Sequence, residues 1–197
     1  MFSQTVLISM ITALGYAGIF GVVFAESGLL FGLILPGDSL LFIVGLLASR
    51  GFLNIWIVLP VIFVAAVLGD NLGYAFGHKV GRRFFHRKDS MIFRKENLIK
   101  AELFYEKHGP ITVFSARFIP FIRTLIPILT GIGKMNYKTF LFYNITGALS
   151  WTLIVTLLGY YIPAVIPNAD QYLPLIFIGV VIISFAPAIY QILRKRR

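Results

Sequence analysis

Ile111-Thr112-Val113-Phe114-Ser115-Ala116-Arg117-Phe118-Ile119-Pro120-Phe121-Ile122-Arg123-Thr124-Leu125-Ile126-Pro127 opens an apolar run, ending at Gly133, that is too greasy for a loop and too interrupted for one helix. A proline in a helix interior removes a hydrogen bond and clashes with the preceding turn, at about 3 kcal/mol. Each arginine near a bilayer centre costs roughly 2.5–3.5 kcal/mol on insertion scales. Broken backbone at membrane depth is tolerated only where it is buried in protein or lines a cavity. The run therefore reads as a re-entrant hairpin that enters and leaves on one face. Leu29-Leu30-Phe31-Gly32-Leu33-Ile34-Leu35-Pro36-Gly37-Asp38-Ser39 has the same character, with a Pro-Gly break and an acid beside it.

The rest of the chain makes lipid the relevant solvent. Of 197 residues, 58% are apolar and 13% charged, and the mean hydropathy is +0.85, far outside the soluble range. Apolar runs fall at about 5–25, 28–49, 52–77, 111–133, 137–162 and 172–193, each near the ~20 residues that cross a bilayer. Cysteine is absent, which excludes a disulfide framework and a thiolate metal site. The net charge of +10 is concentrated: nine of 18 Lys and Arg lie between Lys79 and Lys107, and Arg194-Lys195-Arg196-Arg197 ends the chain. Such blocks orient a polytopic protein and hold anionic headgroups. No reading module accompanies them, so nucleic acid is not an expected partner. The first 25 residues carry no Lys or Arg, so the basic n-region of a signal peptide is missing and 5–25 reads as a retained helix.

Charge parity orders these runs. The segment from His78 to Pro110 and the tail after Leu193 are both basic, hence both cytoplasmic, and an even number of crossings must separate them. A re-entrant 111–133 satisfies this and leaves Lys134 and Lys138 on the same side. Working backwards, 28–49 dips in from the outer face, and the N-terminus is cytoplasmic. Residues 94–108 interleave Arg94, Lys95, Lys100 and Lys107 with Glu96, Glu102 and Glu106, the pattern of an amphipathic helix at the interface. His78, His86 and His108 share this loop and read as interfacial rather than as metal ligands or a proton relay.

The two halves echo one another. Val23-Phe24-Ala25-Glu26 resembles Val113-Phe114-Ser115-Ala116-Arg117, and Gly69-Asp70-Asn71-Leu72-Gly73-Tyr74 has a counterpart in Gly147 to Trp151 with Gly159-Tyr160. The expected fold is an all-α polytopic membrane protein of two inverted repeats, each with a re-entrant helical hairpin, plus an amphipathic interfacial helix. One membrane domain covers 1–197: repeat one at about 5–80, a cytoplasmic amphipathic loop at about 81–110, repeat two at about 111–162 and a C-terminal helix at about 172–193.

Three of the eight acids, Glu26, Asp38 and Asp70, lie within or beside apolar runs, as do Arg117 and Arg123. Unpaired, the group would cost on the order of 10 kcal/mol. Mutual pairing, cavity water or a charged ligand must offset that, and a purely structural ion-pair cluster is one reading. The spacing offers another. Pro120 between Arg117 and Arg123 can turn both guanidiniums toward one point, and a guanidinium fork grips phosphate bidentately. Hairpin tips also present helix N-termini to anions. Glu26 and Asp38, from the opposite leaflet, are candidates for gating or proton coupling. Asp70 can equally cap or brace a helix; Pro36, Gly37, Ser39, Pro120 and Pro127 shape the hairpins. No catalytic residue, metal ligand or cofactor is expected, since P-loop, nucleophile-elbow and zinc-binding motifs are absent.

Glu26, then Pro36-Gly37-Asp38-Ser39, then Gly69-Asp70 with Gly73-Tyr74, then Phe114-x-x-Arg117-Phe118-x-Pro120-x-x-Arg123 with Gly131, resembles the DedA (SNARE-associated, VTT) family of membrane proteins. The resemblance runs from about Glu26 to Tyr161. It implies essential acids and arginines at these positions, two opposed re-entrant hairpins, and a place in a bacterial inner membrane. It also implies a transporter or lipid translocase driven by the proton motive force, with undecaprenyl phosphate or another anionic phospholipid as partner. A proton-coupled exchanger of small solutes or cations stays open, although two arginines in the path would repel cations. A polyprenyl diphosphate phosphatase is a weaker reading, because no Ser-Arg-Ser or Ser-Gly-His run is present.

Overall fold

The structure, a computed structural model, describes residues 4–28, 37–81 and 109–165. The expected interfacial helix at 94–108 and C-terminal helix at 172–193 lie outside these residues. The described residues form six α-helices: α1 (Gln4–Gly28), α2 (Gly37–Ser49), α3 (Ile55–Phe76), α4 (Ile111–Ala116), α5 (Pro120–Ile132) and α6 (Tyr137–Val165). A π-helical turn, Gly77–Gly81, prolongs α3, so His78 belongs to a helix end rather than to the loop expected there. No strand occurs among the described residues.

Two helical stretches, Ile55–Lys79 and Tyr137–Ile162, are long and apolar enough to cross a membrane, 25 and 26 residues respectively. At 1.5 Å per residue they exceed the roughly 30 Å hydrocarbon core. Their outward faces are what lipid requires. Ile57, Val64, Leu68, Leu72 and Phe76 form an exposed apolar stripe on α3, and Phe142, Ile145, Leu149, Leu153 and Leu158 form one on α6. By contrast α2 and α5 have 13 residues each. That is about 20 Å, too short to span.

The joints before α3 and α6 use the same backbone chemistry. At the end of α2, the N–H of Phe52 bonds the Leu47 carbonyl and that of Gly51 bonds Ala48, both at 3.1 Å, with Gly51 at φ +78°. At the end of α5, Met135 bonds Thr130 at 3.0 Å and Lys134 bonds Gly131 at 3.2 Å, with Lys134 at φ +55°. Both are helix stops closed by a left-handed residue. An asparagine then starts each long helix: the Asn54 Oδ1 accepts from Trp56 N–H and the Asn136 Oδ1 from Lys138 N–H, both at 2.9 Å. Side-chain oxygens in this position satisfy N–H groups that a helix start leaves open.

Two compact units divide the chain. The first contains α1 up to Val23, α2, α3 up to Ala65 and α6 from Thr152. Within it α2 and α6 cross at backbone distance: a Cβ on Gly45 would lie 2.0 Å from the Thr156 carbonyl oxygen, and one on Gly159 would lie 2.1 Å from that of Phe42. The second contains α1 from Phe24, α3 from Ala66, α4, α5 and α6 up to Trp151. Here α3 and α5 cross in the same reciprocal way, with Gly77 against the Ile128 carbonyl (2.1 Å) and Gly131 against that of Tyr74 (2.2 Å). Small residues at such crossings let membrane helices gain packing where lipid offers no hydrophobic drive. A core of Tyr74, Val113, Ala116, Ile126, Met135 and Phe140 fills the second unit. The buried Tyr74 donates its hydroxyl to the Met135 carbonyl at 2.5 Å.

Candidate functional site

The site is built in the second unit from five helices. Near the end of α1 the chain meets α3 at two glycines: a Cβ on Gly28 would lie 2.8 Å from the Gly69 carbonyl oxygen, and one on Gly69 would lie 2.7 Å from Ser27 Cβ. Glu26 lies just before this contact and Asp70 just after it. The broken run supplies the cations. Pro120 starts α5, and the residue before a proline is pushed out of the helical region, so Ile119 is extended (φ −117°, ψ 106°). Arg117 thus caps the end of α4. Arg123 falls in the early turns of α5, its N–H bonded to the Ile119 carbonyl at 3.0 Å.

These charges pair one to one. Arg117 donates through Nη2 to the Asp70 carboxylate, and Arg123 donates through Nη2 to the Glu26 carboxylate. All four residues are buried, at 3% exposure for Glu26, 6% for Asp70, 5% for Arg117 and 8% for Arg123. That degree of exclusion decides how the pairs behave. Removing one partner strands a charge, whereas a surface pair would simply be rehydrated. Two uncharged residues complete the group. The Asn144 Oδ1 accepts from Arg117 Nη2 at 2.8 Å, while its Nδ2 donates to the Val67 carbonyl at 3.3 Å, tying α4 to α3 through α6. Trp151 faces both cations: the Arg123 Cζ is 4.6 Å from its ring centroid and the Arg117 Cζ 6.0 Å. Within about 6 Å an aromatic face attracts a cation. Gly147 leaves room for Arg117, whose Cδ would lie 3.6 Å from an added Cβ.

The structure thus brings together Glu26, Asp70, Arg117 and Arg123. Asp70 is the partner of Arg117 and no mere helix cap. Pro36 and the side chains of Asp38, Ser39 and Pro120 lie outside the described residues; Gly37 is the first residue of α2. Pro127 is buried in α5, with its Cβ 3.3 Å from where Gly73 would carry one. Asn144 and Trp151 are the additions. A lone Asn and Trp in an otherwise apolar run were their only signal, since neither carries charge. Among the described residues no group of His, Asp and Glu could hold a metal ion.

Chemically, the cluster is a balanced quartet of two guanidiniums and two carboxylates held in a water-poor place. It suits partner exchange: any anion that takes an arginine must displace a carboxylate, and any proton that neutralises a carboxylate frees an arginine.

Comparison with known proteins places the chain in a family. The VTT domain matches residues 35–161. Protein DedA of Escherichia coli K12 is 40% identical over 184 residues, covering 92% of this chain and 84% of its own. An uncharacterized membrane protein of Mycobacterium leprae is 41% identical over 168 residues, covering 85% and 75% respectively. Inner membrane protein YqjA of Escherichia coli K12 is 34% identical over 177 residues, covering 88% and 80%. No solved structure matches the chain significantly. It is a membrane protein, and it belongs to the VTT-domain (DedA) family.

Proposed function

We propose that this protein is a transporter, a flippase, of a phosphate-bearing lipid, with undecaprenyl phosphate as the leading substrate and the proton motive force as the drive. The observation that carries the reading is the buried pairing of Arg117 with Asp70 and of Arg123 with Glu26, on helices from both halves of the chain. A lipid phosphate is the anion such a bilayer site can meet, and two guanidinium forks match its oxygens. Balance then links the anion to protons. The quartet by itself is formally neutral. When a phosphate occupies both arginines, Glu26 and Asp70 become surplus negative charge in a place that tolerates none unpaired. Proton uptake by the carboxylates restores neutrality, and deprotonation returns the arginines to them and releases the lipid. Asp38 is a further proton carrier at the start of α2.

Two features support an alternating-access architecture of inverted repeats with re-entrant hairpins. Helices α2 and α5 are too short to span. The features of α3 (Asn54 as cap, Tyr74 and Gly77 at the crossing) recur at one constant offset in α6 as Asn136, Thr156 and Gly159. Broken helices paired with whole ones are the design of many secondary transporters. In this reading the protein resides in the inner membrane with both termini cytoplasmic.

The test is flux of a labelled polyprenyl phosphate across liposomes with an imposed pH gradient. Arg117→Ala and Arg123→Ala, inserted at normal levels, abolish it. Wild-type flux in both variants would sink the proposal. A proton-coupled solute exchanger is the second reading, favoured by the two buried carboxylates alone. It would be upheld by solute movement that ignores added lipid phosphate.

A further inference from the structure

Away from the charge quartet, the second unit carries an open groove of about 590 Å³ along α3, flanked by Phe24 and Tyr137. Its volume is in the range of small-ligand sites, roughly 300–1,000 Å³. Its chemistry changes along its length. Phe24, Leu68 and Leu72 make one end wholly apolar; the backbone of Phe24 abuts Gly69, which fixes it there. About 16 Å further along the helix axis, at 1.5 Å per residue, the groove ends in the exposed His78 and Lys79.

That polar end is shaped rather than incidental. His78 and Lys79 project from the π-helical turn Gly77–Gly81, an irregularity that often marks functional positions. Helix α5 locks the turn, because Gly131 approaches so closely that a Cβ there would lie 2.9 Å from the His78 nitrogen. The His78 ring stacks on Tyr74, with centroids 6.1 Å apart and planes 15° apart, and Tyr74 is itself buried. Midway, the Tyr137 hydroxyl donates to Asn71 Oδ1 at 2.9 Å, and Asn71 Nδ2 donates to the Val67 carbonyl at 2.7 Å. The amide and hydroxyl of the wall are thereby engaged with protein partners, between an apolar end and a cationic one.

We propose that this groove holds one anionic phospholipid of the leaflet that faces the basic segment, with an acyl chain along Leu68 and Leu72 and the headgroup phosphate at His78 and Lys79. Charge complementarity selects this occupant. Lys79 opens the stretch holding half of the chain's basic residues, and such segments attract anionic headgroups. The groove opens on the exposed apolar stripe that includes Leu68 and Leu72. It is a binding site independent of the transport reading, since it uses none of the four paired charges.

The absence of cysteine makes the test direct. Leu72→Cys carries a small fluorophore in phosphatidylcholine vesicles, titrated with brominated-chain phosphatidylglycerol or, separately, brominated-chain phosphatidylcholine. Leu149→Cys, on an exposed face of α6 outside the groove, is the reference position. The expected result is quenching at Leu72 by phosphatidylglycerol at a several-fold lower mole fraction than by phosphatidylcholine, with no such preference at Leu149. Lys79→Gln with His78→Gln removes the preference, and Lys79→Arg keeps it. Equal curves for the two lipids at Leu72, an equal preference at Leu149, or a preference that survives Lys79→Gln with His78→Gln would each overturn the assignment. Flux is not the readout, so failure here leaves the transport proposal standing, and the reverse holds too.

Discussion

Arg117 makes two bonds that matter, to Asp70 and to Asn144, and each responds differently to mutation. Arg117→Ala strands the Asp70 charge and lowers stability by about 3–5 kcal/mol, whereas Arg117→Met with Asp70→Leu removes both charges and loses far less. Asn144→Leu takes an acceptor from the buried Arg117, while the Val67 carbonyl keeps its bond from Asn71, and costs about 1–3 kcal/mol. Thermal unfolding in detergent checks all three, and a double variant no more stable than Arg117→Ala would refute the pairing. At this scale the sequence was informative about charge and silent about partnership. Arg117, Arg123 and Glu26 stand out because ionised groups in apolar runs demand explanation. That Glu26 pairs with Arg123, 97 positions away, and Asp70 with Arg117, 47 away, is set by tertiary packing that no local spacing encodes. Asn144 was missed because a neutral amide in a membrane helix carries no comparable penalty.

Among the elements, the turn between α5 and α6 contains a local conflict. Lys134 adopts φ +55°, where a side chain costs roughly 1–2 kcal/mol and glycine nothing, while the equivalent stop after α2 uses Gly51. Lys134→Gly should therefore raise detergent stability by up to about 1 kcal/mol, part of the relief being lost to a looser unfolded chain. A lower melting temperature would show that the lysine side chain makes an offsetting contact. The break at Pro120 and the glycine-marked helices were legible beforehand, because proline and glycine act through the backbone. The π-helical turn at Gly77–Gly81 was not. It depends on α5 pressing Gly131 against Tyr74 and His78, a contact between segments far apart in sequence.

For the whole molecule, topology has the cleanest measurement. If Ile111 to Gly133 is re-entrant, single cysteines at His108 and Lys138 react with an impermeant maleimide from the same side, and Phe52→Cys reacts from the other. Labelling of His108→Cys and Lys138→Cys from opposite sides would make the run a full crossing and remove the inverted-repeat reading. Proton coupling has a whole-molecule signature as well. If phosphate occupancy is coupled to proton uptake as proposed, lipid phosphate binds more tightly as pH falls, with loss of that dependence in Glu26→Gln combined with Asp70→Asn. Titration calorimetry in two buffers of different ionisation enthalpy measures the protons taken up directly. The parity of basic segments predicts this topology, because orientation is written in loop charge.

The separation of Glu26 from Arg123 along the chain also has a meaning in time. Ribosomes add about 5–20 residues per second, so an α1 delivered early waits roughly 5–20 s before its counter-ion has been synthesised. During that interval a nascent carboxylate must sit at the membrane surface, within the insertion machinery, or protonated in the bilayer. Of the two ion pairs, the one between Glu26 and Arg123 therefore closes last, and a chain that stalls before α5 leaves Glu26 without that counter-ion.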